Sequence, residues 1–231
     1  MEKREGRAKR GQVTGQFIEI FIDKADSDLI KMLSGDSANE RTAAAVLLGN
    51  RKCILAVGPL CKQLTLEKSL YSKIAISEAL GKIGEPAVPY LIALLGKIGN
   101  NQHKFVPEGE SKKKSYPLPR DIAARTITKV GTPALKYLEK EILSGERESV
   151  LEALDAYGFI AYYNHYKEDS AIIEAYNKYK ADELIIWKII RSFQAFPTNK
   201  VQNILRGIID GCKCSGHQVE AKRTLLSMKN E

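Results

Sequence analysis

Two stretches of this chain nearly repeat one another. Leu80-Gly-Lys-Ile-Gly-Glu-Pro-Ala-Val-Pro-Tyr-Leu91 aligns with Ile127-Thr-Lys-Val-Gly-Thr-Pro-Ala-Leu-Lys-Tyr-Leu138, with Lys, Gly, Pro, Ala, Tyr and Leu at matching places. Repetition at this scale constrains the fold more than composition does, because each unit must be one supersecondary element. Anchored on these stretches, Leu48, Leu80, Ile127 and Leu154 form one apolar column, and seven positions before each lies a basic residue: Arg41, Lys73, Arg120 and Arg147. The spacings are 32, 47 and 27 residues; the long one is a repeat of about 32 with an insertion of 15.

Each unit reads as a helical hairpin. Ala43, Ala44 and Leu47 stand at helical spacing, as do Ile76, Ala79, Leu80 and Ile83. Gly84 and Gly131 supply the turn, where glycine adopts positive φ without steric cost. Pro86 and Pro133 then suit the first turn of the following helix, where a missing N–H costs nothing. Leu91, Leu94, Leu95 and Ile98 give that second helix its buried face. About six pairs are expected, at roughly 13–34, 39–66, 69–99, 119–144, 147–179 and 182–210, with a closing helix at about 217–229. Phe17–Ile22 alternates weakly and is read as helix. A lone hairpin cannot bury its apolar face, so the units are expected to stack around one continuous core.

Asp28-Leu-Ile-Lys-Met-Leu-Ser-Gly-Asp-Ser-Ala-Asn-Glu-Arg-Thr-Ala-Ala-Ala-Val-Leu-Leu-Gly49 resembles a HEAT repeat, of the short type found in phycobilisome bilin lyases, and Ala79–Leu91 does too. The resemblance spans about 28–158. It implies an all-α fold, a right-handed α-α superhelix (solenoid) of about six HEAT-like hairpins. It also implies a ladder between repeats, in which the family's Asp and Arg map onto Asp36 and Arg41, Arg147 keeps the Arg, and Lys73 and Arg120 keep only the charge. The expected organisation is a flexible basic tail at 1–12 and a single repeat domain at 13–231, interrupted by a loop at about 97–119.

Charge is unevenly placed. The formal net charge of the 231 residues is +8, but residues 1–12 carry +3, 97–120 carry +4 and 200–231 carry +3, so the rest is slightly negative. Basicity therefore belongs to two ends and a loop. No apolar run approaches the roughly 18 residues of a membrane helix, and no leader with a cleavage site is evident. A cytoplasmic protein with its four cysteines as thiols is expected.

Four features are candidates for function. The insertion holds Lys112, Lys113 and Lys114, which would attract phosphates or an acidic partner, or stand solvated. Phe159, Tyr162, Tyr163 and Tyr166 lie at i, i+3, i+4 and i+7, which suits either an aromatic interface or packing between helices. Cys212, Cys214 and His217 form C-x-C-x2-H, half of a zinc site; with no second half, no metal is assigned and a linker with thiols is the preferred reading. Gly81-Lys-Ile-Gly84 matches a nucleic-acid-clamping GxxG, but the hairpin turn accounts for both glycines.

His103, His165 and His217 have no recognisable catalytic partner by spacing, and no cofactor motif appears. Three functions are weighed. The first is a non-enzymatic scaffold that binds a protein, with an acidic one favoured by the basic lean of second-helix residues such as Lys62, Tyr90, Lys136, Tyr137, Lys140, Lys178 and Arg206. The second is nucleic-acid binding, distantly like the HEAT-like DNA alkylation-repair glycosylases; those flank the lesion with tryptophans, whereas this chain has only Trp187. The third, from the repeat type alone, is a bilin-lyase-like role.

Overall fold

A computed structural model describes residues 6–107, 109 and 115–228. Every regular element among them is helical. Contacts group the chain into two compact units, Met1–Leu91 and Ile92–Glu231, where the sequence suggests one continuous domain.

The first unit holds α1 (Gly15–Glu19), α2 (Asp26–Met32), α3 (Ala38–Asn50), α4 (Val57–Leu66) and α5 (Leu70–Ile83), and α6 (Val88–Ile92) begins at its end. α3 starts where Ser37 accepts a hydrogen bond from the Glu40 amide at 3.3 Å, an S-x-x-E start that satisfies one orphan N–H. α3 and α5 pack tightly because small residues face each other. A Cβ on Gly49 would lie 2.6 Å from the Cα of Ala79, and the Thr42 and Ser72 hydroxyls meet at 2.9 Å. Leu48 and Leu80 are fully buried in this interface.

The hairpin turns form as the sequence predicts. Gly84 has φ 85° and Gly131 has φ 79°. Pro86 and Pro133 follow in short 3-10 turns, Glu85–Ala87 and Thr132–Ala134. Before α4 the matching position is Cys53, with φ −68°; one residue earlier Lys52 takes φ 50°, a conformation that costs a non-glycine residue about 1 kcal/mol or more.

Three expectations are corrected. α6 stops at Ile92 and the chain turns at Gly96 (φ 73°), so Leu95 and Ile98 are buried from irregular backbone. Helix in the Phe17–Ile22 stretch ends at Glu19, leaving Ile20 and Ile22 exposed. The described part of the tail is docked: the Arg10 carbonyl accepts from the Tyr71 amide at 3.0 Å, and Gly11 (φ 87°) sits where a Cβ would meet the Ser72 hydroxyl at 2.5 Å.

The second unit holds α7 (Ile122–Thr128), α8 (Leu135–Ser144), α9 (Arg147–Tyr163), α10 (Ser170–Lys178), α11 (Glu183–Ser192), α12 (Asn199–Gly211) and α13 (Ser215–Met228). First helices pack in order, α7 on α9, α9 on α11 and α11 on α13, while α8 pairs with α9 and α12 with α13. The order of packing along the chain is kept, but α8 and α12 pair with the helix that follows them, α9 and α13, and not with α7 and α11 as the expected pairs at 119–144 and 182–210 had it. Ile127 and Leu154 of the apolar column are fully buried here.

Candidate functional site

The second unit is built around α11. Its sequence, Glu183-Leu-Ile-Ile-Trp-Lys-Ile-Ile-Arg-Ser192, is apolar nearly all round, so the helix is buried on every side from Leu184 onward. That places charges in the interior. Lys188 is wholly buried; its ammonium donates to Glu152 Oε1, Asp155 Oδ2 and the Leu151 carbonyl, each at 2.9 Å. All three of its protons are thereby used, the condition for tolerating a buried ammonium. Burial pushes the Glu152 carboxyl upward and Asp155 adds to this, against the pull of Lys188; its Oε2 is buried without a partner. Beside this triad the Arg191 guanidinium lies 3.8 Å from the Trp187 ring centroid. Arg223 donates to Glu220 Oε1 at 2.8 Å and to Gln194 Oε1 at 3.1 Å.

The insertion is anchored to this interior on both flanks. Gln102 donates to the Ile98 carbonyl at 3.0 Å and to Asp121 Oδ2 at 2.9 Å, while Asp121 Oδ1 caps α7 by accepting from Ala124 at 2.8 Å. The His103 ring packs edge-on against Trp187 with centroids 5.0 Å apart. Burial pushes the His103 pKa down to about 4; Asp155 opposes this, and Arg191, Lys188 and Arg120 reinforce it. On the other flank Tyr116 is buried and donates to the Ser192 hydroxyl at 3.4 Å. Gly158 makes room for it: a Cβ there would lie 2.0 Å from the Tyr116 hydroxyl oxygen. Between these anchors Phe105 stands 82% exposed. It lies at the rim of a cleft of about 550 Å³, lined also by Lys104, Val106, Pro107, Arg147, the Ala181–Leu184 turn and the start of α13.

The sequence-derived candidates are dispersed. Lys112, Lys113 and Lys114 lie outside the described residues. The aromatic set is split. Tyr162 and Phe159 pack on Tyr116 of the insertion, with ring centroids at 5.3 and 6.4 Å. Tyr163, half exposed, donates to the Tyr116 carbonyl at 3.3 Å. Tyr166 falls beyond the end of α9 and shares Glu139 Oε1 with Tyr157, each hydroxyl donating at 3.1 Å. Three of the four rings therefore seat the insertion, a role that neither packing between helices nor a free interface describes.

The ladder has different partners from those the resemblance implies. Arg41 binds Glu67 with bonds of 2.7 and 2.8 Å, and meets Asp36 only through its backbone carbonyl, at 2.9 Å. Burial pushes the Glu67 carboxyl up, but hydrogen bonds from Arg41, the Ser69 amide and Gln63 outweigh it and hold its pKa down at about 2. Arg147 pairs with Asp182 at the start of α11. Lys73 is half-buried in the first turns of α5. Arg120 is exposed and precedes α7. The residue equivalent to Arg41 in that repeat is Arg125: it donates twice to the Pro119 carbonyl, at 2.9 and 3.0 Å, as Arg41 does to the Gly35 carbonyl at 2.8 Å.

Cys212 and His217 do meet, but Cys214 lines the Phe105 cleft instead. Among the described residues no group of three or more His, Cys, Asp or Glu side chains is disposed to hold a metal. None of their helices is long and apolar enough to cross a membrane.

Sequence reasoning missed Lys188, Glu152, Asp155, Tyr116 and Phe105. A lysine inside Leu184–Ile190, with Glu152 and Asp155 at i and i+3 on an otherwise apolar helix, was the available signal for the triad. Nothing local marked Tyr116 or Phe105.

No family model matches the chain, and no curated protein matches it in sequence. Among solved structures, it is similar to an archaeal HEAT-like repeats protein from Thermococcus onnurineus NA1, at 13% identity with a TM-score of 0.43, covering 100% of this chain and 98% of that one. It is also similar to an engineered protein, at 18% identity with a TM-score of 0.38, covering 98% of this chain and 64% of that one. The described residues define this as an all-α protein of successive helices, most of them joined by short turns.

Proposed function

We propose that the chain is a non-catalytic scaffold that binds a protein partner, with the insertion of the second unit as its recognition element. The observation that carries this is Phe105, held out in water from a segment whose flanks are fixed by His103 and Tyr116. A segment pinned at His103 that presents a large aromatic beside a cleft has already met part of the entropy cost of ordering, which is what an interface anchor needs. A cytoplasmic site of action belongs to the same reading, because all four cysteines are free thiols.

Phe105→Ala tests it. The melting midpoint should stay within about 1 °C, since an exposed side chain contributes little to folding. Proteins captured reproducibly from native lysate by the wild type should be lost with the variant. Capture that is unchanged by the substitution would refute the assignment.

Nucleic acid is the second reading, favoured by one observation. Lys136 lies 5.1 Å from the Tyr137 ring centroid on α8, and Lys178 lies 4.9 Å from that of Tyr179 at the end of α10. Paired lysines and rings suit phosphates and bases. Binding by this route should weaken steeply with salt, and nuclease treatment of the lysate should abolish capture. A bilin-lyase-like role rests on the repeat resemblance alone.

A further inference from the structure

We infer that Cys212 is a nucleophilic thiol activated by His217, and that the cleft around it is a site for covalent capture of small activated alkenes. The argument starts from hydrogen-bond donors. His217 Nε2 lies 2.7 Å from the carbonyl oxygen of Glu183. A carbonyl only accepts, so Nε2 carries the proton. In the neutral ring Nδ1 is then a bare acceptor. Cys212 Sγ lies 3.6 Å from that nitrogen, within reach for the thiol to hand over its proton. Nucleophile, base and a third group that orients the base are the parts an activated nucleophile needs.

The surroundings supply a place for a substrate. The pair opens onto a cleft of about 360 Å³ lined by Tyr176, Lys180, Ile186, Ile208 and two glycines, Gly207 and Gly211. A Cβ at either glycine would meet no atom within 4 Å, so both leave room beside the sulfur. The titratable side chains facing the pair are Tyr176 and Lys180. Burial raises the Tyr176 pKa and the charge of Cys212 adds to it. Cys212 caps the C-terminal end of α12.

The chemistry balances without an oxidant. As sulfur bonds to the β-carbon of an alkene conjugated to a carbonyl, the thiol proton passes to His217 Nδ1. The π-bond breaks and its electron pair moves toward the α-carbon. The imidazolium then returns its proton there, leaving a thioether and a neutral histidine. Cys214 lines the other cleft and Cys212 is, among the described residues, the only cysteine lining this one, so an electrophile brought into the cleft, and not a second thiol of this chain, is what the sulfur meets there.

N-ethylmaleimide is the probe, with adducts located by peptide mass mapping of the full chain. At pH 6.5 Cys212 should react about tenfold faster than Cys214, and its rate should fall less steeply with acid than that of an ordinary thiol of pKa about 8.5. In urea the two rates should converge, since Lys213 neighbours both. His217→Gln should remove the advantage. Gly207→Phe, which meets open space, should slow the reaction by filling the cleft while Trp187 fluorescence stays native. Equal rates and parallel pH profiles in the folded protein would overturn the assignment, as would a folded His217→Gln variant that keeps the advantage.

Discussion

Alanine at position 158 sets two effects of opposite sign against each other. In a helix interior Ala is preferred over Gly by about 1 kcal/mol, and Gly158 lies within α9, so propensity alone predicts stabilisation. The site predicts otherwise. The added Cβ would lie 2.0 Å from the Tyr116 hydroxyl oxygen, 2.8 Å from Tyr116 Cζ and 2.8 Å from the Ser192 hydroxyl. Tyr116 is 3% exposed, and the prediction is that the added Cβ expels its ring to solvent. Returning roughly 150 Å² of ring to water costs about 4 kcal/mol at about 25 cal/mol per Å². The net loss is about 3 kcal/mol, or roughly 10 °C in the melting midpoint of a domain this size. Urea unfolding followed by Trp187, the single tryptophan, reads this unit directly. Tyr116→Ala should cost about 3–5 kcal/mol by itself. With the tyrosine gone, Gly158→Ala should add no further loss, a non-additivity of about 3 kcal/mol. Additive losses, or a stabilised Gly158→Ala single variant, would refute the reasoning.

Three further outcomes follow from buried charge. Lys188→Met strands Glu152 and Asp155 in the interior and should cost about 3–5 kcal/mol; replacing all three by apolar residues should recover most of it, and a single-variant loss below about 1 kcal/mol would contradict the triad. Glu67 has a folded pKa of about 2, below its ordinary 4.5, so its contribution is present above pH 4.5 and is lost as pH falls toward 2; Glu67→Gln should flatten the acid limb of thermal denaturation of the first unit. His103 is likewise depressed, from 6.5 to about 4. Its contribution is full above pH 6.5 and lost as pH falls through 4. Glu152 is raised and acts with the opposite sign, stabilising most below its ordinary pKa. Titrating Trp187-detected stability from pH 7 to 4 should therefore give a steeper acid decline in Glu152→Gln than in the wild type, and a shallower one in His103→Gln.

The hairpins were legible because their turns need particular residues. A glycine at positive φ followed by a proline is a local requirement, and Gly84-x-Pro86 and Gly131-x-Pro133 state it openly. Lys52 shows the limit, since the chain reaches positive φ there, one residue earlier than in the glycine turns, on a residue that gives no sign of it. The basic column slipped at Arg120 because counting from Ile127 assumes equal helix lengths, and α7 is short; the loop-tying role passed to Arg125. The insertion was legible as irregular chain, yet its anchors are single residues, His103 and Tyr116, whose partners lie far along the sequence. Lys188 was hidden by its own chemistry, because an isolated lysine in a helical stretch ordinarily reads as a solvated one.

That lysine also bears on how similar hairpins avoid stacking in the wrong order. A slip of α11 by one residue against α9 turns its side chains by about 100° and shifts them about 1.5 Å along the axis. Leu, Ile and Ala tolerate such a slip, because one apolar contact substitutes for another. An ammonium does not, since it would face hydrocarbon at a cost of several kcal/mol. Glu152 and Asp155 therefore act as an address that only one alignment of α11 can read.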